Sequence, residues 1–240
     1  MSVHQLLSFE APPLQGWPRL QAWLVDRIKR AALRQLHASR GGELLLLRMY
    51  LIGEEATEKT LQHELMPTPP QWLERQVQQH LREEQGHSEA FAAAMRERGV
   101  EPQAPLLPDR LSQAKIRRWQ QIAQAHGPQF QQGLLVSAYA IGLCAEQMAE
   151  RVLARHCAVI AADHPLRPLL AGVLNDERKH VRLCQRTLNR IVRPEEQAQL
   201  QRLLAEARAV DRAWGVSGAL AMYLAGCVLR LRGWLGERRA

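Results

Sequence analysis

Two copies of Glu-x-x-His, Glu84-Gln85-Gly86-His87 and Glu177-Arg178-Lys179-His180, stand 93 residues apart in the chain. Each follows an upstream glutamate by nearly the same interval, thirty residues from Glu54 to Glu84 and thirty-one from Glu146 to Glu177. Residues three apart on a helix share a face, so each motif aims one carboxylate and one imidazole in a common direction. An interval of about thirty suits two helices that run out, turn and come back. Each upstream acid then returns beside its own motif, and the chain is constrained to two helical hairpins that face each other across a polar centre.

The two halves are alike beyond these residues. Leu51-Ile52-Gly53-Glu54-Glu55-Ala56-Thr57-Glu58-Lys59-Thr60-Leu61 aligns with Leu143-Cys144-Ala145-Glu146-Gln147-Met148-Ala149-Glu150-Arg151-Val152-Leu153, which pairs Glu54 with Glu146 and Glu58 with Glu150. Leu81-Arg82-Glu83-Glu84-Gln85-Gly86-His87 overlays Leu174-Asn175-Asp176-Glu177-Arg178-Lys179-His180 at an offset within one residue of the first. In the first hairpin Glu54 and Glu84 lie thirteen and fourteen residues from the turn at Pro67 to Pro70, both roughly 20 Å from it at helical rise. The second hairpin is level only if its descending helix ends before Ala161 and a short loop absorbs the excess.

The intervening chain reads as helix throughout. Apolar residues make up 46%, few of them in β-branched or aromatic runs, and Leu, Ala, Gln, Arg and Glu dominate. An all-α single domain over residues 1–240 follows. A first, accessory helix spans about 17–38, opened by Pro18 and interrupted at Gly41-Gly42; a second runs from about Glu43 to Leu65 and stops at Pro67-Thr68-Pro69-Pro70. The third continues to Arg98 and ends at Gly99. Val100 to Pro108, with three prolines, reads as a crossover, followed by a short helix from Ser112 to Ala125. Gly127-Pro128 restarts a long helix reaching Ala158 to Ala161, and Asp163-His164-Pro165 turns the chain into another from Leu166 to Val192. Pro194 restarts a last one over about 195–235.

Four scattered cysteines without a Cys-x-x-Cys pair exclude a zinc ribbon, a rubredoxin-type centre and a disulfide framework. The amino terminus lacks the basic start and apolar run of a secretory signal, which predicts cytoplasmic residence. A formal charge of +8 suits an anionic partner, tRNA or a membrane surface, but the basic residues fall among Glu and Gln at helical spacing, as on solvated faces. Between Arg212 and Arg230 lie seventeen uncharged residues, just short of a membrane-spanning helix. They read as a buried core helix or a homodimer helix, with surface attachment through Trp214, Trp234 and the terminal arginines as the alternative.

The six residues Glu54, Glu84, His87, Glu146, Glu177 and His180 form a metal-ligand set. Four carboxylates with two imidazoles suit two iron or manganese ions and nearly balance their charge in a helical interior. Glu55, Glu58 and Glu150 are rival ligands within one helical step or turn. Glu83 and Asp176, each one residue before a motif glutamate, are placed to accept the free N–H of a ligand histidine and fix its tautomer, though Glu83 reads equally as a residue of a solvated face. Tyr50, one turn before Glu54, and Tyr139, two turns before Glu146, are placed either to hydrogen-bond a metal-bound species or to fill the core. His63, His80, His126, His156 and His164 read as surface or helix-end residues.

With these residues, roughly 43–192 resembles the ferritin-like di-iron carboxylate superfamily, whose core presents one Glu from each of two helices and Glu-x-x-His from each of the other two. The resemblance implies a four-helix bundle with additional N-terminal and C-terminal helices. It makes Glu84 and Glu177 the bridging, catalytically central carboxylates, and dioxygen or peroxide the reactant. The extra helices tilt the expectation toward an oxidase or monooxygenase acting on a small organic substrate with an external electron donor. The other readings are a ferroxidase or rubrerythrin-like peroxide scavenger, a tRNA-hydroxylase-like enzyme, and a non-enzymatic helical interaction protein.

Overall fold

A computed structural model describes residues 7, 9–61, 69–103 and 108–237, the last five as backbone only. Those residues form seven α-helices and no strand. They are α1 (Gly16–His37), α2 (Arg40–Lys59), α3 (Gln71–Glu97), α4 (Arg110–His126), α5 (Leu134–Cys157), α6 (Arg167–Ile191) and α7 (Gln197–Glu237). The hairpin α2/α3 and the hairpin α5/α6 meet along α3 and α6. There Arg190 at the end of α6 lies 4.0 Å over Trp72 at the start of α3, so these two helices run antiparallel. The second hairpin closes as its length requires, since α5 stops at Cys157 and residues 158–166 take up the excess.

Two expected boundaries move. Gly41 and Gly42 do not interrupt a helix but sit in the first turn of α2, which Ser39 caps by accepting from the Gly42 N–H at 3.1 Å. The break falls at Ala38 and Ser39 because the chain turns sharply there, and a Cβ on Gly42 would lie 2.1 Å from the Leu36 carbonyl oxygen. Likewise α5 starts at Leu134 instead of Gly127-Pro128: those two residues open a single 3-10 turn, and Gly133, at φ 54°, redirects the chain. Gly99 (φ 70°) ends α3 as expected, while the Val100 N–H reaches back to the Met95 carbonyl, and α4 starts at Arg110, two residues before the expected Ser112, where Asp109 caps it. His63 and the turn at Pro67-Thr68 lie outside the described residues.

The core is apolar at both ends and polar in the middle. Along α3 the inward stripe reads Leu73 and Val77, then His80, Glu84 and His87, then Phe91 and Met95. Along α6 it reads Leu170, Val173 and Leu174, then Glu177 and His180, then Cys184, Leu188 and Ile191. Antiparallel packing puts like with like: Leu73, Val77, Cys184 and Leu188 join one apolar cluster, completed by α4, α5 and α7. Phe91, Met95, Leu170 and Val173 join another with Leu47 and Leu51 of α2. The charged layer lies between them.

The uncharged stretch of α7 is not a buried core helix within the chain, although Leu200, Leu203, Leu204 and Ala207 before it are fully buried. Only 11% of its most apolar stretch is buried, because a single face packs on α1. Trp214, assigned above to surface attachment, instead turns toward α4 and donates its indole N–H to the Leu111 carbonyl at 3.1 Å. Gly42→Ala is expected to destabilise the protein by about 2 kcal/mol through the α1/α2 corner. A chemical-denaturation midpoint equal to wild type would show that the corner yields and that this account of it is wrong.

Candidate metal centre

All six sequence-predicted ligands converge, and a seventh joins them. Glu54 comes from α2, Glu84 and His87 from α3, Glu146 from α5, Glu177 and His180 from α6, and none is more than 7% exposed. Their ligand atoms fall into two sets able to hold metal ions, Glu54/Glu84/His87/Glu177 and His80/Glu84/Glu146/His180, with Glu84 in both. Glu177 Oε2 also approaches the second set, 4.0 Å from His180 Nδ1. The helix phase selects Glu54 over Glu55, which is only partly buried and lines an outer cleft. Glu58 and Glu150 are excluded as ligands in matched fashion, held outside by Gln85 at 3.0 Å and Arg178 at 3.2 Å.

His80 corrects the sequence reading. It is no surface residue: its Nε2 lies 3.0 Å from Glu84 and 3.3 Å from Glu146, and its ring stands 3.8 Å from that of His180. The internal duplication concealed it, since the position 93 residues on is Val173, an apolar core residue. The signal was there in helical phase alone, because 80, 84 and 87 recur at the spacing of one buried stripe. His156 is also buried, contrary to expectation, and lies in a different network. His126 does sit at a helix end, 3.2 Å from Glu206.

Glu83 and Asp176 play the orienting part, but across the interface. His180 Nε2 donates to Glu83 at 2.9 Å, and His87 Nε2 donates to Asp176 at 3.3 Å. Each motif's extra acid thus holds the other motif's histidine, a consequence of α3 and α6 crossing antiparallel. A carboxylate accepts only, so both rings carry a proton on Nε2 and turn Nδ1 inward.

Those inward atoms test whether the site suits a metal. His87 Nδ1, His180 Nδ1 and Glu177 Oε2 are buried and make no hydrogen bond. They nevertheless face acceptors: His87 Nδ1 is 3.4 Å from Glu54 Oε2, and His180 Nδ1 is 3.2 Å from Glu84 Oε1. Two donors each about 2.1 Å from one ion stand roughly 3.0–3.4 Å apart. That spacing suits a proton or a shared cation between each imidazole and its carboxylate.

Without cations, protons do the balancing. Burial, reinforced by the charge of Glu84, pushes Glu54 up to about 8. Burial and the neighbouring Glu146 push Glu177 far above the usual carboxylate range. Burial disfavours charge on His80, yet the facing carboxylates of Glu146 and Glu84 lift it to about 9, and the same two acids lift His180 to about 11. In turn, against the cost of burial, His180 and His80 hold Glu84 at about 2 and Glu146 lower still.

Of its two expected roles Tyr50 takes the core-filling one and not the one beside a metal-bound species. It stacks on Phe91 and its hydroxyl reaches His156 Nδ1 at 2.8 Å, and Tyr139 is a buried core residue. Tyr50 belongs to a second histidine cluster at the far end of α2. There His37 Nδ1 and His164 Nε2 both lie against Glu43 Oε1, at 3.3 and 3.0 Å, with Arg98 on Glu43 Oε2 at 3.0 Å. Burial keeps Tyr50 protonated and His156 neutral. A directed chain then satisfies every atom: Tyr50 donates to His156, His156 to His37, and His37 to Glu43, while His164, accepting from the Leu166 N–H, also donates to Glu43. His37, Glu43 and His164 lie close enough to hold an ion, but their donors and acceptors are already matched, and none is orphaned as at the first site.

No family model, no curated protein and no solved structure matches this chain. The metal-free protein should weaken in alkali. Glu54 and His80 both have folded pKa values raised above their unfolded ones, so the stability they contribute is full below the unfolded values and is lost as pH rises through about 8 and 9. Thermal melts of chelator-treated protein should fall by several degrees between about pH 7 and 10, with Mn2+ restoring the loss. A flat profile, or one that manganese leaves unchanged, counts against ions replacing protons here.

Proposed function

We propose that this chain is a dimetal carboxylate oxidoreductase of the ferritin-like kind, an oxidase or monooxygenase that uses dioxygen on a small organic substrate with electrons from an external donor. The observation that carries the reading is the pair of ligand sets sharing Glu84, with imidazole Nδ1 atoms buried, unpartnered and aimed at carboxylate oxygens. When bound, two reduced iron or manganese ions supply electrons to dioxygen or peroxide. The chain's own residues do the rest. Glu83 and Asp176 fix the His180 and His87 tautomers, Glu84 spans the two sets, and the apolar clusters on either side keep water from the layer.

One observation favours a second reading, in which ferrous iron is itself the substrate. A cleft of about 310 Å³ opens between α2 and α3, lined by Glu55, Glu58, Glu89 and Glu101 around Arg96. Its wall includes Leu51 and Ser88, next to Glu54 and His87 on the same helices. On a chain of net charge +8, such a mouth favours cation entry on the Glu54 side.

Anaerobic loading with ferrous iron tests both. The expected result is two ions per wild-type chain, one lost in Glu54→Ala and both in Glu84→Ala, because Glu84 serves both sets. Admitting air should then consume dioxygen at about one molecule per ion pair. Fewer than one ion per wild-type chain removes the proposal. With excess ferrous iron and no other donor, consumption that stops after one turnover marks the oxidase, and consumption that continues marks the iron-oxidising reading.

A further inference from the structure

We infer that the outer face of α7 is a docking surface for an anionic lipid membrane, with the helix lying in the plane of the surface. Leu220, Leu224, Val228 and Leu231 are 47, 62, 47 and 59% exposed, and at about 100° per residue they form one stripe over three turns. Exposed Arg212 and Arg230 fall on one flank of that stripe and exposed Arg232 on the other. Between 212 and 232 there is no acidic residue. Asp211, which borders the stretch, is turned inward onto Lys115 at 2.6 Å and Arg151 at 3.0 Å.

The neighbouring helix has the same character. α1 runs beside α7 in the same direction, with Val25 against Gly215 and with Gln35 and Leu36 against Gly226. It leaves Trp17, Leu20, Trp23 and Leu24 half or more exposed, together with Arg19 and Arg27. Its one acid, Asp26, is engaged by Arg30 at 2.6 Å and Arg155 at 2.7 Å.

Charge decides what covers such a face. A second copy would set arginine against arginine, and the described side chains of 212–232 include no carboxylate to receive them, whereas leucines flanked by arginines match hydrocarbon flanked by lipid phosphate. Spanning is ruled out by the other face of α7, which is committed to α1: a Cβ on Gly226 would already lie 3.0 Å from Gln35 Oε1. The proposal needs neither the metal centre nor its chemistry.

Flotation of the full chain with phosphatidylcholine vesicles, with and without phosphatidylglycerol, provides the test. Wild type is expected to float with the anionic vesicles at least about tenfold more strongly than with the neutral ones, and less so in about 0.5 M salt. Leu220→Glu with Leu224→Glu should abolish flotation without altering the melting temperature or the metal content. Arg212→Gln with Arg230→Gln and Arg232→Gln should remove the preference for anionic lipid. Three results overturn the proposal: wild type that does not float, flotation that survives the leucine substitutions, or a dimer in light scattering that those substitutions dissociate while vesicles are ignored.

Discussion

Four carboxylates and three imidazoles meet in a layer with apolar side chains on either side, and the structure has to keep that layer close to neutral. Ionised carboxylates out of water are costly unless positive charge is brought to them. In this chain the positive charge comes as protons when no ions are bound: two acids keep theirs, and His80 and His180 are charged against the remaining two. The inward Nδ1 atoms of His87 and His180 lie against carboxylate oxygens in groupings that could hold metal ions in place of those protons.

Antiparallel crossing of α3 and α6 is what makes the layer work. It brings Glu83 to His180 and Asp176 to His87, so that each hairpin orients the histidine of the other. It also aligns the apolar segments end to end, so the polar residues occupy a single level and both neighbouring levels are apolar. The histidine cluster around Glu43 uses the same residue types to a different end. Its hydrogen bonds run in one direction from Tyr50 to a carboxylate already shared by Arg98 and His164, which gives a closed polar network at the end of α2 in place of a vacancy for charge.

Helical architecture, the two hairpins and six of the seven inward-facing site residues were legible in the chain, because spacing of three and four residues reports helix phase directly and the duplication repeated the message. Glu83 and Asp176 were legible too, since any residue one step from a ligand lies at the edge of the same face. His80 was missed because the comparison of halves pairs it with Val173, and a repeat reveals only what both copies keep. Tyr50 was placed by proximity along the helix, but stacking on Phe91 turns its hydroxyl away to His156.

By itself, then, the sequence determined that helices would form, that two hairpins would present acids and histidines to one another, and which helical faces those were, because such features depend on local periodicity. Only the tertiary structure decided that His80 enters the site, that each histidine is held by the opposite hairpin, that Gly42 must lie against the Leu36 carbonyl, and that α7 keeps an apolar face in the open. Those outcomes depend on which residues far apart in the chain come within a few ångströms of one another, and helix phase carries no information about the partner on the other side.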